Sequence, residues 1–186
     1  SQPTFYDVEK DGKIIKALAQ TTKMGFVFLL NRETGKPIFP IEERDVPQGA
    51  VQGDYVTKTQ PYPTKPKPLT PTYLDPDDVF GFTPWDRGYC KKAAQDLRNE
   101  GLYTPPSLEG SVHYPSAIGG ANWGGPAIDA SRNILIANTM NLSSTIVMVP
   151  RSDCDKALKE LARDSVQSRF SALQQNEGTP YCTIRA

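Results

Sequence analysis

The sequence predicts a mainly β chain with added helices and long proline-rich insertions. Three observations carry this. The first forty residues alternate short apolar runs with turn signals such as Asp11-Gly12 and Thr34-Gly35. Six prolines crowd the run from Pro61 to Pro76, where no central strand is expected. Only two stretches, near residues 84–97 and 153–174, space their apolar residues as a helix does.

A chain of 186 residues is long enough for one ordinary domain, which buries about 70% of its extended surface. Its hydrophobic fraction of 38% and its 17 prolines are instead those of a long-looped β protein or of a piece of a larger domain. Lysine plus arginine equals aspartate plus glutamate at 21 each, which argues against a nucleic-acid or polybasic membrane surface. No run of 18 apolar residues and no charged-then-apolar leader is present, so neither a membrane span nor an export signal is expected. Ser1 to Phe5 lead straight into a strand pattern without an initiator methionine, as at a cut inside a domain.

Four strand-like segments follow one another: Thr4 to Val8, Lys13 to Ala19, Gly25 to Asn31 and Pro37 to Pro40. Asp11-Gly12 is the pair a type I′ hairpin prefers, because both turn residues need positive φ. Four such strands make an antiparallel meander, the unit a β-propeller repeats radially. The third is apolar on both faces and is expected to be buried. The turn leading into it, Thr21-Thr22-Lys23, holds one cation. At the mouth of a buried sheet an ammonium is a strong partner for an anion or a carbonyl oxygen.

From Ile41 to Phe80 the periodicity is lost, and the chain is expected to run extended over a surface. Thr83 is the predicted N-cap of a helix with Pro84 in its first turn, which runs through Tyr89, Cys90, Ala93, Ala94 and Leu97 to a stop at Gly101. Cys90 is then a small buried hydrophobe rather than a nucleophile. Cys90, Cys154 and Cys182 show no C-x-x-C spacing, which argues against zinc. One disulfide and one thiol are expected in an oxidising compartment, with the pairing open. His113, the single histidine, is read as a loop residue without acid or base duty.

The passage Gly119-Gly120-Ala121-Asn122-Trp123-Gly124-Gly125 is not a phosphate loop, because neither G-K-[ST] nor a helix follows. Its glycines are expected to let backbone approach something closely. A turn at Ala130 to Asn133 then leads to the strand Ile134 to Asn138, where a terminal amide needs partners. A strand over Thr145 to Val149 and an amphipathic helix from about Asp153 to Gln174 complete the chain, before a tail from Gly178 to Ala186.

Several blocks resemble one family, the membrane-bound quinoprotein dehydrogenases of the glucose and quinate/shikimate type, which use pyrroloquinoline quinone (PQQ). The blocks are Gly25 to Gly35, Val46 to Pro61, Glu100 to Ser107, and Asn122 to Asp129 continuing to Met140. The match covers roughly residues 1–150, and the last 35 or so match weakly, as if the chain inserted its own helix there.

The resemblance implies about two blades of an eight-bladed propeller that holds PQQ above Ca²⁺ or Mg²⁺. In the family an aspartate takes the hydroxyl proton of a sugar or cyclic polyol while hydride passes to the quinone, and ubiquinone receives the electrons. Lys23 stands where the family has the lysine that contacts the ortho-quinone oxygens, and Asn138 where it has an asparagine near the cofactor. Trp123 is a candidate wall of the same pocket. The family's aspartate and metal ligands lie upstream of Ser1, so no catalytic residue and no metal ligand is assigned here, and Asp7 and Asp11 belong to the hairpin. The chain alone is expected to be inactive. The domains are expected as a blade over 1–40, a proline-rich insertion with one helix over 41–110, a glycine-rich loop and strands of the next blade over 111–150, and a helix and tail over 151–186. The remaining blades are the expected partners, at the periplasmic face of the inner membrane. The competing expectation is a non-catalytic interaction module that uses the proline-rich run from Tyr62 to Pro76.

Overall fold

The computed structural model describes residues 1–121, 123–163 and 171–186. The first seven strands are β1 (Thr4–Phe5), β2 (Val8–Lys10), β3 (Lys13–Ile15), β4 (Ala17–Thr21), β5 (Val27–Asn31), β6 (Ile41–Asp45) and β7 (Thr59–Pro63). Helix α1 (Pro84–Gln95) precedes β8 (Ser111–His113), β9 (Ala127–Asp129), β10 (Ile134–Ile136) and β11 (Ser144–Pro150). Helix α2 (Cys154–Arg163), β12 (Ala172–Gln174) and β13 (Tyr181–Arg185) follow. These elements fall into two compact units. One holds Ser1–Asp45, Thr59–Thr72 and Pro115–Leu142; the other holds Val46–Lys58, Tyr73–Tyr114 and Ser143–Ala186.

In the first unit one hairpin register runs through two ladders, with Thr4 opposite Ala19, Val8 opposite Ile15 and Lys10 opposite Lys13. Its two-residue turn is Asp11-Gly12, with φ of +51° and +71°, as a type I′ turn requires. Strand β4 also pairs with β5, giving the order β1-β4-β5. Val8, Ala17 and Ile38 form a small core flanked by Tyr6, Ile15, Leu29 and Phe39. Phe26 is buried just before β5, with Tyr62 tilted against it at 5.1 Å.

Two expectations for this unit are corrected. The meander has three strands, not four, because Pro37 and Pro40 bracket a stretch too short for a ladder. Only the bridge from Leu30 to Pro37 and the Ile38 N–H donating to Leu29 O (2.9 Å) remain. Strand β5 starts at Val27, and its residues from Phe28 onward are half-buried because it lies at the edge of the sheet.

The stretch expected to be free of strands holds the antiparallel ribbon β6–β7, with Pro61 opposite Glu43 and Pro63 opposite Ile41. Thr64 N–H donates to Pro40 O (3.0 Å) in the same register, so even-numbered residues of β7 occupy the hydrogen-bonding positions. Both prolines fall at positions whose N–H would point away from the partner, which is why a ribbon tolerates them and a central strand would not.

The second unit centres on an antiparallel sheet in the order β12-β13-β11-β8. The tail expected after Gly178 therefore contains an inner strand. The long helix predicted to Gln174 is overturned at its end: Ala172–Gln174 pairs with β13, and the chain reverses through Asn176 and Gly178, both at positive φ. Val166 and Phe170 of the predicted stripe lie outside the described residues. Cys154 and Cys182, both buried, form the disulfide that joins α2 to β13, and Cys90 is a half-buried free thiol.

Helix α1 starts as predicted. Thr83 and Asp86 form a capping box, and Pro84 opens the first turn. Its buried stripe is narrower than predicted: Ala94 is buried and Cys90 half-buried as expected, but Ala93 is exposed and Tyr89 is 78% exposed. Trp85, Phe80 and Phe82 are exposed as well. His113 lies in β8 rather than in a loop, and burial followed by the nearby Arg185 pushes its pKa below the usual imidazole value.

Candidate functional site

The site grows out of the connection between β4 and β5. Thr22 N–H donates to Phe26 O and Gly25 N–H to Thr22 O, each at 3.0 Å, while Phe26 N–H donates to Thr22 Oγ1 at 3.2 Å. The loop is therefore the three residues Lys23-Met24-Gly25, closed by Gly25 at φ +75°. A three-residue hairpin needs a left-handed residue in that last place, and glycine adopts it without steric penalty.

Lys23 points out of this loop. Its ammonium donates to Ala117 O at 2.9 Å, and among the described residues it has no ion-pair partner. The side chain is exposed, so this chain supplies no low-dielectric wall around it. The lysine is held at its backbone too, because Gly120 N–H donates to Lys23 O at 2.7 Å. Gly120 O in turn accepts from Met140 N–H at 2.8 Å. One glycine thus joins the lysine loop to the segment that carries Asn138.

Strand β10 stops at Ile136, so Asn138 is exposed beyond it rather than buried at its end. Among the described residues no hydrogen bond engages its side-chain amide, which leaves it free to donate to a ligand. Trp123 follows Gly120 by three residues and is 71% exposed. Lys23 and the segment of Asn138 are thus each bonded to Gly120, Trp123 follows that glycine in sequence, and all three belong to one compact unit.

Sequence reasoning missed Thr70. It is buried, and its side chain occupies the space that side chains on two glycines would need. A Cβ on Gly25 would lie 2.0 Å from Thr70 Oγ1, and one on Gly120 would lie 2.9 Å from it. Leu69 N–H donates to Gly25 O at 2.8 Å, which holds the segment in place. No turn or periodicity signal marks Thr70, because its role depends on glycines 45 to 50 residues distant.

Among the described residues, the Lys23 ammonium without a carboxylate partner and the Asn138 amide without a hydrogen bond are donors that fit an anionic quinone. Among the described residues no three His, Cys, Asp or Glu gather to hold a metal, and no helix is long and apolar enough to cross a membrane.

Small antiparallel sheets with helix-bearing insertions define a mainly β protein of the blade-forming class. The family model for the β-propeller domain of PQQ-dependent glucose/ethanol/alcohol dehydrogenases matches residues 1–186, and the chain belongs to that family. It is 39% identical over 183 residues to the quinoprotein glucose dehydrogenase of Gluconobacter oxydans (strain 621H), covering 97% of this chain and 22% of that protein. It is 34% identical over 188 residues to the quinoprotein glucose dehydrogenase of Escherichia coli (strain K12), with the same coverage. Against the quinate/shikimate dehydrogenase (quinone) of Acinetobacter baylyi (strain ATCC 33305 / BD413 / ADP1) the identity is 30% over 181 residues, again 97% and 22%. The chain thus spans about a fifth of the length of these relatives. The match runs to residue 186, which corrects the expectation that it fades after residue 150. No solved structure matches the chain.

Proposed function

We propose that this chain is part of a PQQ-dependent dehydrogenase that oxidises a sugar or cyclic polyol, and that Lys23 is its cofactor ligand. The observation that carries the reading is the Lys23 ammonium, held by a carbonyl and unpaired with any carboxylate among the described residues, on a loop tied through Gly120 to the Asn138 segment. When bound, PQQ accepts the two electrons released as the alcohol becomes a carbonyl. Lys23 would hold the quinone oxygens and favour negative charge on them, because a fixed cation is worth more where charge develops than where it is absent. Asn138 would donate a hydrogen bond without titrating, and Trp123 would cover a face of the ring.

The sheet β1-β4-β5 and the sheet β12-β13-β11-β8 are proposed as parts of two blades, completed by the rest of the longer polypeptide. Proton abstraction and the divalent cation, Ca²⁺ or Mg²⁺, are assigned to that remainder, so the chain alone is inactive. The Cys154–Cys182 disulfide supports an oxidising compartment. It agrees with the periplasmic face of the inner membrane, where ubiquinone would take the electrons. A docking module built on Tyr62 to Pro76 has less support, since Tyr62 is paired within β7 and Thr70 is buried.

PQQ titration of the full-length protein tests the reading. Lys23→Ala removes a charge-assisted hydrogen bond worth about 1.5–3 kcal/mol, so affinity is expected to fall about 10- to 100-fold. Unchanged affinity would return Lys23 to an ordinary turn lysine.

A further inference from the structure

We infer that Thr70 is the positioning residue for Lys23, the spacer that sets where the ammonium stands. This rests on Lys23 as the cofactor ligand and extends it to a residue in the proline-rich run, far from the hairpin in sequence.

The Lys23 loop is held from two sides. Gly120 grips the Lys23 carbonyl, and Leu69 grips the Gly25 carbonyl. Between these grips stands the Thr70 side chain, so close to both Gly25 and Gly120 that neither position has room for a methyl group. A methyl on Gly120 would also meet Thr70 Cγ2 and Pro115 Cγ, each at 3.0 Å. The gap between the lysine loop and the glycine-rich loop is thus filled by one side chain. The ammonium's acceptor, Ala117 O, belongs to that second loop, so the width of the gap fixes the ammonium relative to its anchor.

Among the described residues Thr70 Oγ1 is buried and has no hydrogen-bond partner. No bond among them therefore calls for the hydroxyl, and a valine, which puts a methyl in its place, would fill the gap as well. Volume, not the hydroxyl, is what the site uses. Alanine would leave a void into which both loops can relax.

The test is a double-mutant cycle on PQQ affinity in the full-length protein, read by quenching of tryptophan fluorescence and accompanied by thermal unfolding of each apo variant. Thr70→Ala is expected to weaken PQQ about 5- to 10-fold, and Thr70→Val to stay within about 2-fold of the parent. In a Lys23→Ala background, Thr70→Ala is expected to have no further effect, because the residue acts through the ammonium. Should Thr70→Ala fail to fold, Thr70→Ser, which removes only the methyl, enters the same cycle. Additive losses would overturn the inference, since Thr70 would then act independently of Lys23. Equal losses from Thr70→Val and Thr70→Ala would also overturn it, by making the hydroxyl the active feature. If Lys23→Ala itself leaves PQQ affinity intact, the cofactor reading fails first and the spacer role falls with it.

Discussion

The two compact units hold short antiparallel strands in different ways. The first has no covalent cross-link and fixes its loops by close approach of backbone, with Gly25 and Gly120 pressed against Thr70. The second ties the helix α2 to the inner strand β13 through Cys154–Cys182. The unpaired lysine sits in the unit whose geometry is set by shape. A loop fixed by fit has one position but tolerates no added atoms, whereas a cross-linked sheet tolerates looser packing around it.

Gly25→Val tests this contrast most severely. It places a branched side chain at φ +75° and drives its Cβ into Thr70, so a loss of about 2–5 kcal/mol in urea denaturation is expected. A variant as stable as the parent would show that close approach does not hold the first unit. Cys154→Ala with Cys182→Ala comes next. Opening a link between residues 28 apart costs about 3.6 kcal/mol in the chain-entropy account, and hydrogen exchange should then quicken in β11 and β13 while β4 and β5 keep their protection. Equal loosening of both units would erase the distinction.

Thr83→Ala removes the capping box of α1 and is expected to cost about 1 kcal/mol, visible as faster exchange in its first turn, with Thr83→Ser restoring most of it. The smallest effect is one of pH. The folded pKa of His113 is lowered, by burial first and Arg185 second, so on acidification the unfolded chain takes up the proton before the folded one does. The stability linked to His113 is therefore present above the unfolded value of about 6.5 and is lost as pH falls towards the folded value. His113→Asn should flatten this slope in the second unit. The first unit contains no histidine and should show no such slope near neutrality.

Features encoded by adjacent residues were legible in the sequence. Asp11-Gly12 announced its hairpin, Thr83-Pro84 announced the start of α1, and Lys23 stood out as the lone cation of a turn before an apolar strand. Features set by distant partners were not. Ala172 to Gln174 continue a helical apolar stripe, yet β13 offers them an edge to pair with, and the Asn176 to Gly178 reversal allows it. Tyr89 fits the expected stripe by spacing, but of that stripe the helix buries Ala94 and leaves Tyr89 exposed. The lysine's anchor is a main-chain carbonyl and its spacer is a threonine among prolines. Neither has a residue-type signature.

The prolines of β7 have a consequence for solubility. A two-stranded ribbon leaves an outer edge where a passing strand from another molecule could dock. In β7 the positions facing that edge include the exposed Pro61, which has no N–H to offer, and Pro63, which is buried. A foreign strand would find a reciprocal donor missing at the first and no access at the second, and a ladder with gaps does not propagate. The spacing that lets these prolines sit in the ribbon thus also makes its rim a poor template for aggregation.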